Sequence, residues 1–156
     1  QLVIERLEAN SDFRGHGRST GLYTFSASEH ADLETVLRWA GKRYASLGVL
    51  GFSLGGAIAI HTVSRHPANV RSLVAVSAPS SFEAIEFKWW TQQAMRDGLR
   101  GLQPGAGCRP GNPLLKKPRP VDAVRQLRSV PILFLHGTRD AIVGVEHSRR
   151  LYAAAA

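Results

Sequence analysis

Val49-Leu-Gly-Phe-Ser-Leu-Gly-Gly-Ala-Ile-Ala-Ile60 is the stretch from which the 156-residue chain is best read. Within it, Gly51-Phe52-Ser53-Leu54-Gly55 fits the pattern G-x-S-x-G. The apolar run Leu47–Leu50 predicts a buried strand, and Leu54–Ser64 predicts a helix that is apolar on nearly all sides. A serine between such a strand and helix sits on a sharp turn with its Oγ at the tip. Crowding in that turn requires small residues two before and two after the serine, which Gly51 and Gly55 provide. Gly56-Ala57 then lets the helix approach the sheet closely. The helix start directs free N–H groups at the point where a developing oxyanion would form. Ser53 is therefore the candidate nucleophile. Two other glycine patterns fail. There is no lysine where a phosphate loop needs one. No strand precedes Gly15-His-Gly17, as a dinucleotide-binding turn requires.

Working outward, Gln1–Leu7 is expected to be an edge strand. Ser28–Tyr44 reads as an amphipathic helix, with Ser28 as its cap and Leu33, Val36, Leu37 and Ala40 as its apolar stripe. Val70–Ser77 and Pro131–His136 are two further buried strands, and Val121–Arg128 and Val145–Ala156 are helices. Ser80–Leu102 has helical character and carries Phe82, Phe87, Trp89, Trp90 and Met95. These are more large apolar groups than an exposed connector would hold, so the segment is expected to form a small cap, with the cap region bounded by residues 80–120. Strands alternating with helices imply one α/β domain over 1–156, with a mostly parallel sheet covered by helices on both faces.

Composition narrows the functions. The 44% hydrophobic content is that of a globular protein. No apolar run approaches the roughly 18 residues of a membrane span. The single cysteine, Cys108, excludes an internal disulfide and suits a reducing cytoplasm. The formal charge of +8 arises from scattered arginines, with one dense run at Lys116-Lys117-Pro118-Arg119, which reads as a solvated loop rather than a nucleic-acid site. No His/Cys/Asp cluster has metal-ligand spacing, so neither metal nor organic cofactor is expected.

Asp12-Phe-Arg-Gly-His-Gly-Arg-Ser19, the Ser53 turn, Ser77-Ala-Pro79 and His136-Gly-Thr-Arg-Asp140, in that order, resemble the α/β-hydrolase superfamily. More narrowly, they resemble its single-domain bacterial serine hydrolases of esterase type. The resemblance implies an α/β-hydrolase fold, Ser53 as nucleophile and Asp140 as the acid of a catalytic triad. It also implies that the backbone N–H of Leu54 supplies half of an oxyanion hole. Asp140 follows a buried strand at its C-terminal end, where open α/β sheets place their sites. The implied activity is cleavage of an ester, thioester or amide of a small acyl substrate. Acyl transfer on the same scaffold, or a non-catalytic relative that binds a small ligand or partner, are the alternatives.

Two departures from the family pattern stand out. The family's triad order is Ser, acid, His, yet the one histidine after Asp140 is His147, close by and in a helical stretch. His16, His30, His61, His66 and His136 read as structural. In addition, too little sequence precedes Asp12 for the family's first strands. The chain is therefore expected to be part of a longer one, lacking segments near residue 9 and after residue 156, with the base histidine outside it.

Overall fold

A computed structural model describes residues 12–66, 69–82, 109–112 and 114–155 of the chain. The elements run α1 (Glu29–Gly41), β1 (Leu47–Phe52), α2 (Leu54–Arg65), β2 (Val70–Val76), α3 (Pro120–Val124), β3 (Ile132–Leu135) and α4 (Glu146–Ala155). The strands form a parallel sheet in the order β1-β2-β3. The expected α/β architecture is thus present. The expected Gln1–Leu7 strand, Cys108 and the cap residues Phe87, Trp89, Trp90 and Met95 lie outside the described residues. No helix among the described residues is long and apolar enough to cross a membrane.

Register organises the sheet into rows. Val49–Leu73–Ile132 and Gly51–Ala75–Phe134 face the helices, while Leu50–Val74–Leu133 and Phe52–Val76–Leu135 face the other way. The helical side is the core: Ala59, Ile60, Val63, Leu73, Ala75, Val124 and Leu151 form one cluster with at most 1% exposure. α2 is its centre, because Gly56, Ala57, Ile58, Ala59, Ile60, Thr62 and Val63 are all buried, and the buried Thr62 hydroxyl donates to the Ile58 carbonyl.

Among the described residues the helices pack on one face of the sheet. Leu50, Phe52, Leu133 and Leu135 are 46–64% exposed on the opposite face. Crossovers between parallel strands are right-handed, so the described connections along β1-β2-β3 place their helices on the same side.

Three local expectations also change. Ser28 precedes α1 but makes no side-chain cap. Glu29, which is fully buried, instead accepts hydrogen bonds from the Thr24 and Ser26 backbone N–H groups, each at 2.7 Å, and from the Thr24 hydroxyl. This ties the loop before α1 to its first turn. The Ser26-x-x-Glu29 spacing lets the carboxylate reach back to the Ser26 N–H, as the glutamate of a capping box does, although the N-cap itself is Ser28. Ser80–Phe82, the start of the expected cap helix, is irregular, and Ser80 and Ser81 are buried. Finally, α3 starts at Pro120 and stops at Val124, and the chain continues in tighter turns, with Gln126 N–H on the Ala123 carbonyl and Leu127 N–H on that of Val124.

Candidate active site

The three strands end level with one another. Phe52, Val76 and Leu135 are in register, so Ser53, Ser77 and His136 form the next row at the C-terminal edge. The Ser53 N–H donates to the Val76 carbonyl at 2.7 Å, and the Ser77 N–H to that of Leu135 at 2.8 Å. These bonds carry the ladder one step past the strands.

Ser53 has φ 47° and ψ −118° and is exposed. A side chain in that backbone region costs about 1–3 kcal/mol, and such strain is held where the surroundings over-determine it. Here the surroundings are strand and helix joined through one residue. The Ser53 carbonyl accepts from Gly56 and Ala57 at 3.0 and 3.2 Å. The N–H groups of Leu54 and Gly55 come earlier in the first turn, before any intrahelical acceptor is available to them. No acidic side chain occupies that turn, so its positive end remains available to an anion.

The crowding expected at Gly51 and Gly55 falls instead on Gly51 and Gly56. A Cβ on Gly51 would lie 2.6 Å from both the Gly55 carbonyl oxygen and the Gly56 nitrogen, and one on Gly56 would lie 2.8 Å from the Ala78 Cβ. A Cβ on Gly55 meets nothing within 4 Å among the described residues. The tight approach is between the end of β1, the first turn of α2 and the exit of β2. Gly55 points away from it. We expect Gly51→Ala to lower unfolding free energy by about 1–3 kcal/mol, since the atoms it meets are backbone. Gly55→Ala should be neutral or stabilising, by up to about 1 kcal/mol. Urea midpoints of the two variants check this.

Asp140 ends the turn after β3, its own N–H bonded to the Gly137 carbonyl at 3.1 Å. Its Oδ1 accepts from the Ile142 and Val143 N–H groups, both at 2.9 Å. Burial pushes its pKa up. The two N–H donors, the Ser77 hydroxyl and the charge interaction with His136 outweigh burial and hold it below the usual carboxylate range. Strand β2 lies between the strands that lead to Ser53 and Asp140. Two strand spacings give about 10 Å of lateral separation.

The structure engages the histidines elsewhere. His136 comes within 3.7 Å of Asp140 Oδ2, but its Nδ1 is 2.6 Å from the Ser148 hydroxyl and its Nε2 is 2.8 Å from the Val143 carbonyl, with the ring 3% exposed. Buried His147 accepts from the Ser80 N–H at Nδ1, 2.9 Å, with the Ser80 hydroxyl equally close. His16 contacts the Arg14 carbonyl at 3.2 Å and packs edge-on against Tyr23. His30 and His61 meet edge-to-face at 5.2 Å between α1 and α2. Burial, then the His30 and Arg65 charges, lower the pKa of His61. His66 faces Glu34 at 3.4 Å. Of the expected cap residues, Phe82 is half-buried just beyond Ser81. Among the described residues, no group of three or more His, Cys, Asp or Glu side chains converges on a metal position.

Sequence reasoning overlooked Ser77, a non-glycine residue at φ 48° whose hydroxyl reaches Asp140. Its signal was the Ser77-Ala-Pro79 motif, which marks the exit of β2 level with Ser53. The loop of Asp12–Ser19 is fixed beside α1 by Arg14, whose guanidinium and backbone N–H both bind Asp32, the shortest bond being 2.6 Å.

The chain is similar to several known proteins. The chain is 41% identical over 91 residues to pimeloyl-[acyl-carrier protein] methyl ester esterase of Chromobacterium violaceum, covering 58% of this chain and 33% of that protein. It is 26% identical over its full length to the alpha/beta hydrolase domain-containing protein WAV2 of Arabidopsis thaliana, covering 52% of the latter. The chain thus spans about a third to a half of these relatives' lengths. Among solved structures, the esterase domain of a Rhodothermus marinus protein matches with TM-score 0.54 at 27% identity, over 81% of this chain and 53% of that one. A lipase-esterase related protein from Clostridium acetobutylicum matches with TM-score 0.64 at 18% identity, over 92% and 68%, a likeness of fold. The family profile described as "Serine aminopeptidase, S33" matches residues 9–126, three quarters of the chain and the whole Ser53 turn, so the chain belongs to that family within the α/β-hydrolase superfamily.

Proposed function

We propose that the protein is a serine hydrolase that cleaves an ester, thioester or amide of a small acyl substrate through an acyl-enzyme on Ser53. The strained, exposed Ser53 at the start of α2 carries this reading. Its Oγ would attack the substrate carbonyl while an imidazole takes the proton. The carbonyl oxygen becomes an oxyanion facing the Leu54 N–H. The tetrahedral species then expels the alcohol, thiol or amine, which takes the proton back from the imidazole. Water repeats the sequence on the acyl-enzyme, restoring Ser53 and releasing the acid. Asp140 would orient the imidazole and balance its charge. Among the described contacts, no imidazole is seen between Ser53 and Asp140: His136 and His147 are hydrogen-bonded to Ser148, Val143 and Ser80. The ester chemistry named for the Chromobacterium relative favours an ester over an amide.

A fluorophosphonate probe tests this. The expected result is a single modified peptide containing Ser53, and no modification of Ser53→Ala. Labelling that persists in that variant overturns the assignment. Complete inertness towards the probe would favour the non-catalytic alternative.

A further inference from the structure

The helix before each parallel strand runs back against it, so the ends of α1 and α2 and the starts of β1 and β2 share the edge opposite Ser53. Asn69 ties them together. Its side-chain amide donates to the Gly41 carbonyl at 3.2 Å, and its own carbonyl accepts from the Leu47 N–H at 2.7 Å. Lys42, Arg43, Arg65 and Arg71 are exposed along this edge, and Trp39 and Tyr44, 43% and 37% exposed, stand among them.

The described carboxylates are placed differently. Asp12, Glu29 and Asp32 lie in the loop before α1 or in its first turn, and Asp140 and Glu146 follow β3, all towards the Ser53 edge. Asp122 faces Arg119 at 3.8 Å. Glu34, further along α1, is engaged by Arg38 at 2.5 Å and faced by His66 at 3.4 Å. Among the described residues, no carboxylate pairs with Lys42, Arg43, Arg65 or Arg71.

The Arg43 guanidinium lies 4.2 Å over the Trp39 ring and donates to the Trp39 carbonyl at 3.1 Å, which holds a cation and an indole side by side at the surface. Helix ends commonly carry cations against the dipole, but that explains neither the exposed indole and phenol nor Arg71, which is on a strand. Amphipathic aromatic rings among basic side chains suit the headgroup level of an anionic bilayer. Nucleic acid fits less well, because bases stack on open aromatic faces and Arg43 covers a face of Trp39.

We propose that the edge opposite Ser53 docks on an anionic phospholipid bilayer, with Lys42, Arg43, Arg65 and Arg71 meeting the headgroups and Trp39 and Tyr44 entering the interface. The residues of β1, at about 3.3 Å each, set Ser53 about 20 Å from that plane, so the docked protein keeps Ser53 open to water. Co-sedimentation with vesicles tests this, using phosphatidylcholine alone and phosphatidylcholine with about one-third phosphatidylserine. The anionic vesicles are expected to bind the protein at least tenfold more tightly, with affinity falling as salt is raised. Arg43→Glu and Arg71→Glu should each weaken that binding about tenfold, and Trp39→Ala should weaken it several-fold. Arg139→Glu changes the net charge equally but lies in the exposed turn after β3 at the Ser53 edge, and it should stay within twofold. The substituted side chains are exposed, so the variants retain the fold, and the vesicle preference of the unaltered protein is an independent readout. Equal binding to both vesicles, or an Arg139→Glu loss as large as that of Arg43→Glu, would overturn the proposal. So would binding of a single-stranded oligonucleotide by a protein that ignores the anionic vesicles.

Discussion

Ser53→Ala should lower kcat for ester hydrolysis by 10⁴-fold or more while leaving the substrate's KM within a few-fold. Loss of a triad nucleophile removes stabilisation made only in the transition state, and the residual rate of about 10³–10⁴ over water comes from binding and the oxyanion site. The same position makes a second measurement possible. At φ 47° an alanine carries the same backbone strain as serine, whereas glycine does not. Ser53→Gly should therefore be as inactive as Ser53→Ala yet more stable than wild type, by about 0.5–1 kcal/mol. A fully active Ser53→Ala would remove Ser53 from the chemistry. An unstable Ser53→Gly would mean that the backbone there is not strained.

Asp140→Asn should lower kcat by about 10³–10⁴-fold, because an amide neither fixes the imidazole tautomer nor balances its charge. The pH profile gives a sharper test. Asp140 is held below the ordinary carboxylate range, so it stays ionised across the working range and the acid limb of kcat/KM reports the histidine base. Removing the nearby negative charge makes the protonated imidazole less favourable. The limb in Asp140→Asn should therefore move to lower pH. Stability follows the same sign. A carboxyl with a depressed folded pKa contributes stability above its unfolded value near 3.9, and that contribution is lost as pH falls through the folded value. The stability gap between wild type and Asp140→Asn should thus be open at pH 7 and close under acid. A gap that widens on acidification would reject the assignment of those hydrogen bonds.

The strand–Ser53–helix turn was legible in the sequence because its constraints are local. Strand, serine and helix are adjacent, and only glycine fits at Gly51 and Gly56. What failed was whatever depended on partners distant in sequence. Leu50 reads as buried because it is apolar, yet it lies on the face opposite the described helices and is 59% exposed among the described residues. Ser28 looked like a cap because it has the preferred side chain there, yet the Glu29 carboxylate took the donors of Thr24 and Ser26. His136 looked like a family landmark beside Asp140, and only the fold shows both of its nitrogens engaged, by Ser148 and Val143. The Ser77-Ala-Pro79 motif marked the strand exit, but only the folded Asp140 turn brings a partner to the Ser77 hydroxyl. The candidate triad remained incomplete for a similar reason: an imidazole's role is set by what surrounds it, and six histidines in a list do not reveal their surroundings.

The row of strand exits also has a kinetic side. β1 and β2 are joined through α2, with Leu47 paired to Val70, whereas β2 and β3 bring Leu73 to Ile132. Closing the longer loop costs roughly 0.8 kcal/mol more in chain entropy. The Ser80–His147 contact spans 67 residues and costs more again. The β1–α2–β2 unit is therefore expected to assemble first, with β3 docking late. Val49→Ala should slow refolding, while Phe134→Ala should mainly speed unfolding, as stopped-flow measurements would show. Ser53 would then acquire its strained backbone early in folding, and Asp140 would reach the far side of the same edge only when the last strand arrives.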